Sequence, residues 1–141
     1  MRVEDFIDTN IFVYQLERLD TRKAAIAEHL IQHGIASGTA CISPQVVQEC
    51  LNTAIRKSEI QLSRNEMEKY LQSVLAPLLR VQPSLRLYRL SLDIQSRYQF
   101  SFYDSLIVAA AVEAGCKTLY TEDLTHGQQV EGVIITNPFR M

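Results

Sequence analysis

The sequence predicts an α/β fold around a mostly parallel sheet of four to five short strands flanked by helices, and three observations carry that prediction. Short β-branched segments, such as FIDTN (6–10) and GVIIT (132–136), alternate with longer segments whose apolar residues recur at helical spacing. Several of the helical segments open on residues suited to capping. The chain has 141 residues, 47% apolar and 21% charged, which suits one globular domain able to bury roughly two thirds of its unfolded surface. No repeat, low-complexity tract or linker interrupts it, so residues 1–141 are expected to form a single domain.

In chain order, FIDTN reads as the end of a buried strand and residues 9–18 as a helix. TRKAAIAEHLIQHG (21–34) repeats apolar residues at helical spacing, with Gly34 as the expected terminator. TACIS (39–43) is a second strand candidate. Ser43 and Pro44 then suit the N-cap and first helical position of a helix with Val46, Val47, Cys50, Leu51 and Ala54 on its apolar side. SRNE (63–66) has capping-box spacing and predicts a helix through about Leu75. Pro77 and Pro83 are expected to bracket an extended piece containing Leu78, Leu79 and Val81. Further helices are predicted from Ser84 to about Tyr98 and from Phe102 to Ala114, the second stopped by Gly115. TLYT (118–121) and GVIIT complete the strands.

Composition excludes some classes. Fourteen basic against sixteen acidic residues give a net charge of -2, unlike the basic domains that usually bind nucleic acid, although a local basic track remains compatible. Cys41, Cys50 and Cys116 form no C-x-x-C pair, and an odd count without a basic-then-apolar leader predicts reduced, buried thiols in a cytoplasmic protein. The longest apolar run, LIVAAAV (106–112), is far short of the ~20 residues that span a bilayer.

In parallel sheets chemistry gathers at the carboxyl ends of strands, and if those ends converge here, four acids could share one pocket. Asp8 ends the first strand, and Asp123 follows TLYT by two residues. Asp104 lies in the first turn of a very apolar helix, and Glu49 sits inside the helix after the second strand. Together in low dielectric they would repel by several kcal/mol unless protons or a cation intervened. Oxygen ligands without a His/Cys set suit Mg²⁺ or Mn²⁺. Each acid also has an ordinary reading: Asp8 as an N-cap, Asp104 as the acid of a capping box with Ser101, Glu49 as a solvated helix edge, Asp123 as a turn residue. Against the second, Ile107, Val108 and Ala111 share the face of Asp104, and a carboxylate on such a face needs a partner.

FIDTNIFVY, ISPQVVQE, FSFYDSLIVAAAVEAG and LYTEDLTHGQ…GVIITNPF, in that order from Phe6 to Phe139, resemble the PIN-domain ribonucleases, and most closely the VapC-like toxins of toxin–antitoxin pairs. The resemblance implies a PIN-like three-layer fold and a metal-dependent endoribonuclease. Its acidic pocket would fall on Asp8, Glu49, Asp104 and Asp123, with Asp8, Asp104 and Asp123 holding Mg²⁺ or Mn²⁺. Asn10 and Thr121 would support them, and Asp123 rather than Glu122 matches the fourth acid. It also implies an RNA substrate, a cognate antitoxin and a homodimer, with no membrane. Among the basic residues, Arg56 and Lys57 on the Glu49 helix are the mild preference for RNA contact, and His126 reads as a polar turn residue.

Three other classes compete with this reading. A haloacid-dehalogenase-type phosphatase wants a second Asp where Asn10 stands. A receiver domain wants an acidic pair and a strand-end lysine, and residue 49 is a helical Glu. A binding module without nuclease activity differs in one cheap observation, because its RNA would survive with or without a chelator.

Overall fold

Residues 2–140 are described by the computed structural model, in which five strands form one sheet in the order β2-β1-β3-β5-β4. These are β1 (Asp5–Ile7), β2 (Ala40–Cys41), β3 (Thr118–Tyr120), β4 (Gln129–Val130) and β5 (Val133–Thr136). The first three and β5 run parallel, and β4 adds an antiparallel edge against β5. The helices are α1 (Thr9–Glu17), α2 (Thr21–Ser37), α3 (Pro44–Arg56), α4 (Arg64–Tyr70), α5 (Ala76–Leu78), α6 (Leu85–Tyr98) and α7 (Phe102–Glu113), with a π-helical turn (Leu71–Leu75) joining α4 to α5. This is the mostly parallel, helix-flanked α/β architecture that the strand–helix alternation predicts.

The core follows from the apolar strands. Phe6, Ile7, Leu119 and Ile135 are wholly buried in the sheet, with Ile11 and Phe12 of α1 and Ile31 of α2 against them. The run Ile107–Ala111 of α7 is buried on every side, which explains its lack of amphipathic pattern. The β1–β3 register pairs Ile7 with Tyr120, and β3–β5 pairs Tyr120 with Thr136. Asp8 and Thr121 are therefore the first residues beyond matched strand ends. On the other side Phe6 pairs with Cys41, so Ser43 stands level with Asp8 two residues on.

Two sequence expectations are corrected. Gly34 does not end α2, which runs to Ser37 and closes on Gly38 in the left-handed region (φ 72°). Gly34 is instead a close-approach residue: a Cβ there would stand 2.6 Å from the Cβ of Ala40. Nor does Pro77 open an extended piece. The helix after the Ser63–Glu66 capping box continues to Leu78, and only the chain from Leu79 is extended. Pro77 has no N–H to bond the carbonyl four residues back, and the preceding turn widens so that the Ala76 amide reaches the Leu71 carbonyl. β4 is the fifth strand of the four to five expected, although Gln129 and Val130 carry no apolar run that marks it in the sequence.

Candidate active site

Asp8 plays both of its candidate roles. As N-cap of α1 it accepts through Oδ1 from the Thr9 amide at 2.7 Å. Through Oδ2 it accepts from the Thr121 hydroxyl at 2.8 Å, a bond that the strand register dictates. Both residues are buried. The Thr121 Oγ1 in turn accepts from the Asp123 amide at 3.1 Å and from Asn10 Nδ2 at 3.2 Å. Asn10 also donates to Asp123 Oδ2 at 3.0 Å and accepts from the Glu122 amide through its Oδ1. Asn10 and Thr121 thus tie the end of β1 to the turn after β3 and fix the direction of two carboxylates.

Glu49 is half-buried and joined to the same place through Thr9, whose hydroxyl donates to Oε1 at 2.7 Å. Gln45, one turn earlier on α3, donates through Nε2 to Glu49 Oε2 and to the Tyr103 carbonyl, each at 3.2 Å. That amide links the Glu49 helix to the start of α7, where Asp104 follows. The Ser101 hydroxyl accepts from the Asp104 amide at 3.1 Å, so Ser101 caps α7, one half of the expected capping box. Thr9 and Gln45 escaped sequence reasoning. The only signal was the four-residue spacing of Gln45 and Glu49, which places them on one helix face.

Electrostatics joins the four acids. Burial, more than anything else, pushes the Asp8 carboxyl up to about 7, against the bonds from Thr121 and Thr9, and the charges of Asp123 and Glu49 raise it further. The Asp104 carboxyl is also raised, first by partial burial and then by Asp123 and Glu49. Glu122 belongs elsewhere. Partial burial pushes its carboxyl up, but the pair with Lys23 and the bond from the Tyr14 hydroxyl together hold it below the usual range. Adjacent acids therefore face different partners, Asp123 toward Asn10 and Glu122 toward α2.

An open cleft of about 410 Å³ lies in front of this group, with Thr9, Asn10, Tyr14, Glu49, Lys57 and Asp123 in its wall. Lys57 is paired with Glu17 at 2.6 Å. Arg56 is exposed at the end of α3, outside the cleft lining, and His126 accepts from the Asn137 amide in the turn after β3.

Among the described residues no three His, Cys, Asp or Glu side chains stand close enough to enclose a metal ion. Asp8, Asp104 and Asp123 are therefore not a preformed cage. The donor chemistry nevertheless fits a hard cation: all the candidates are oxygen ligands, and Asp8 is a desolvated carboxylate with two acidic neighbours. Mg²⁺ commonly takes one or two carboxylates and keeps several waters, so it needs no all-protein cage.

The family model of the PIN domain matches residues 6–128. The chain belongs to the PIN-domain family. The same fold recurs in a toxin–antitoxin complex from Klebsiella pneumoniae, at a TM-score of 0.70 and 16% identity over 98% of this chain and 100% of that one. It recurs in VapBC2 from Rickettsia felis, bound to a DNA fragment from its promoter, at a TM-score of 0.67 and 16% identity over 96% and 98%. At those identities the likeness is one of fold. No curated protein sequence matches the chain. No helix among the described residues is long and apolar enough to cross a membrane.

Proposed function

We propose that this PIN domain is a divalent-metal-dependent endoribonuclease and the toxin of a toxin–antitoxin pair. The observation that carries the reading is the Asp8–Thr121–Asn10–Asp123 network at matched strand ends, with Glu49 and Asp104 electrostatically joined to it. Asp8, Asp104 and Asp123 would hold Mg²⁺ or Mn²⁺. Such an ion, when bound, makes a water nucleophilic near neutral pH and draws charge from the phosphoryl oxygens. The chain's own residues prepare the place. Asn10 and Thr121 hold Asp8 and Asp123 in direction, while Thr9 and Gln45 hold Glu49 where it can orient the attacking water. Lys57, at the cleft wall, would exchange Glu17 for a backbone phosphate of the RNA, with Arg56 as a second and weaker attraction.

Support for the toxin role comes from the fold neighbours, one of which is a toxin–antitoxin complex by name and another VapBC2. An antitoxin protein and self-association as a dimer are proposed with it, as is a cytoplasmic setting. The deciding experiment incubates the purified protein with cellular RNA, with and without chelator. Cleavage that chelation stops and Asp104→Asn abolishes, with the variant still folded by circular dichroism, supports the reading. Undiminished cleavage by folded Asp104→Asn would sink it.

A further inference from the structure

Next to the acidic network lies a second, smaller cavity that the network does not use. It holds about 120 Å³ between the N-terminus of α3, Pro83, α6 and α7, and its wall includes Ser43, Gln45, Pro83, Tyr88, Leu106 and Ala110. Two residues of that wall each carry a buried polar atom without a partner, Ser43 Oγ and Gln45 Oε1. Buried polar groups are ordinarily satisfied, and each exception calls for an explanation. Ser43 occupies the N-cap position of α3, yet its hydroxyl makes no capping bond. The Gln45 amide cannot be turned round to cure its own defect. Its nitrogen already faces two acceptors, Glu49 Oε2 and the Tyr103 carbonyl, so Oε1 must remain an acceptor on the other side.

We infer that this cavity is a subsite for one pyrimidine base of the RNA strand, held beside the scissile phosphate. The inference rests on the nuclease reading and names part of its substrate. Size excludes a two-ring base: 120 Å³ is below the roughly 150 Å³ that takes one benzene, so the cavity admits the edge of one ring while the rest lies at its mouth. Chemistry favours a base over a phosphate: no lysine or arginine is in the lining, and Pro83, Leu106 and Ala110 make it apolar. Bases splayed out of single-stranded RNA are held by stacking on aromatic rings and by hydrogen bonds to their edges. Tyr88 is the ring at the mouth, 42% exposed. Gln45 Oε1 accepts from the cytosine amino group or the uracil imino group, and the Ser43 hydroxyl donates to a ring carbonyl. Position fits as well. Gln45 touches Glu49 with the other end of the same amide, and Ser43 stands level with Asp8 in the sheet register.

The test separates this subsite from the nuclease reading. Cytidine, uridine, adenosine and base-free ribose 5-phosphate are titrated into metal-free protein while the side-chain amide signals of Gln45 are followed by NMR. Saturable shifts with both pyrimidine nucleosides, at least roughly tenfold weaker with adenosine and absent with ribose phosphate, are expected. Ser43→Ala forfeits no capping bond and Tyr88→Ala alters an exposed ring, so both should fold, and both should weaken pyrimidine binding severalfold. Ala110→Leu, which fills the cavity, should abolish it. Equal shifts with all four probes, or none with any, overturn the proposal and leave a water-filled pocket only. Chelator-sensitive cleavage with no pyrimidine preference overturns the subsite while sparing the nuclease. Absence of cleavage beside selective pyrimidine binding does the reverse.

Discussion

Replacing Asp8 with asparagine should stabilise the metal-free protein at alkaline pH while destroying its metal chemistry. Burial raises the Asp8 carboxyl from 3.8 to about 7. At 1.36 kcal/mol per pKa unit, that is a burden of roughly 4 kcal/mol on the fold when the group is ionised. Asparagine keeps the shape and the N-cap acceptor but loses one of the two bonds from Thr9 and Thr121, a loss of about 1 kcal/mol or somewhat more. A net gain of about 3 kcal/mol follows, equivalent to a melting temperature about 12 °C higher for a chain of this size. The sign reverses the usual carboxylate pattern. Above the folded-state value near 7 the burden is fully expressed. As pH falls through 7 the folded protein takes up a proton and is relieved, and below 3.8 both states are protonated and the relief is complete. Melting curves in EDTA at pH 8 and pH 5 therefore make the test: the wild-type protein should gain on acidification relative to the Asn variant, and the variant should melt higher at pH 8. A variant that melts at or below wild type at pH 8 would refute the claim that this carboxylate is desolvated at a net cost.

Asn10→Ala removes the donor that directs Asp123 and Thr121 and should lower metal-dependent cleavage roughly 10- to 100-fold, with a change in stability of about 1 kcal/mol, read by initial rates and urea titration. Glu122→Gln, which loosens the partly exposed pair with Lys23, should cost about 1 kcal/mol or less and spare cleavage, whereas Asp123→Asn should lose it; rates for the two neighbours side by side decide between them. Gly34→Ala gains up to about 1 kcal/mol of helix propensity, but its new Cβ would lie 2.6 Å from Ala40 Cβ, and overpacking of 1–3 kcal/mol should leave it about 1–2 kcal/mol less stable in urea with the slope unchanged.

The strands and most helices were legible because β-branched runs and capping residues act locally. Ser63 and Glu66 satisfy each other's backbone within one turn, and nothing distant can alter that. Gly34 was misread because a terminating glycine and a glycine making room for a strand look identical in one dimension; only Ala40 tells them apart. Pro77 was misread because a helix can pass a proline by widening the turn before it. Asp8 and Asp123 were visible as residues following strands and Glu49 and Asp104 as helical acids, but how they stand to one another depends on register, a long-range property. Asp8 remained ambiguous in sequence because it both caps α1 and faces Thr121. Gln45 gave no warning, since its importance comes from two acceptors, one of them on α7.

The sheet also governs how the protein behaves at high concentration. Its outer strands, β2 and β4, have two residues each, and the Ile42 backbone beyond β2 is engaged by the chain around Leu79. Short, covered edges deny incoming strands a template. The most exposed leucines lie instead on a helix, Leu85 and Leu92 of α6 at 71% and 60%. Crowding such a protein should therefore not seed β-rich fibres through its sheet edges.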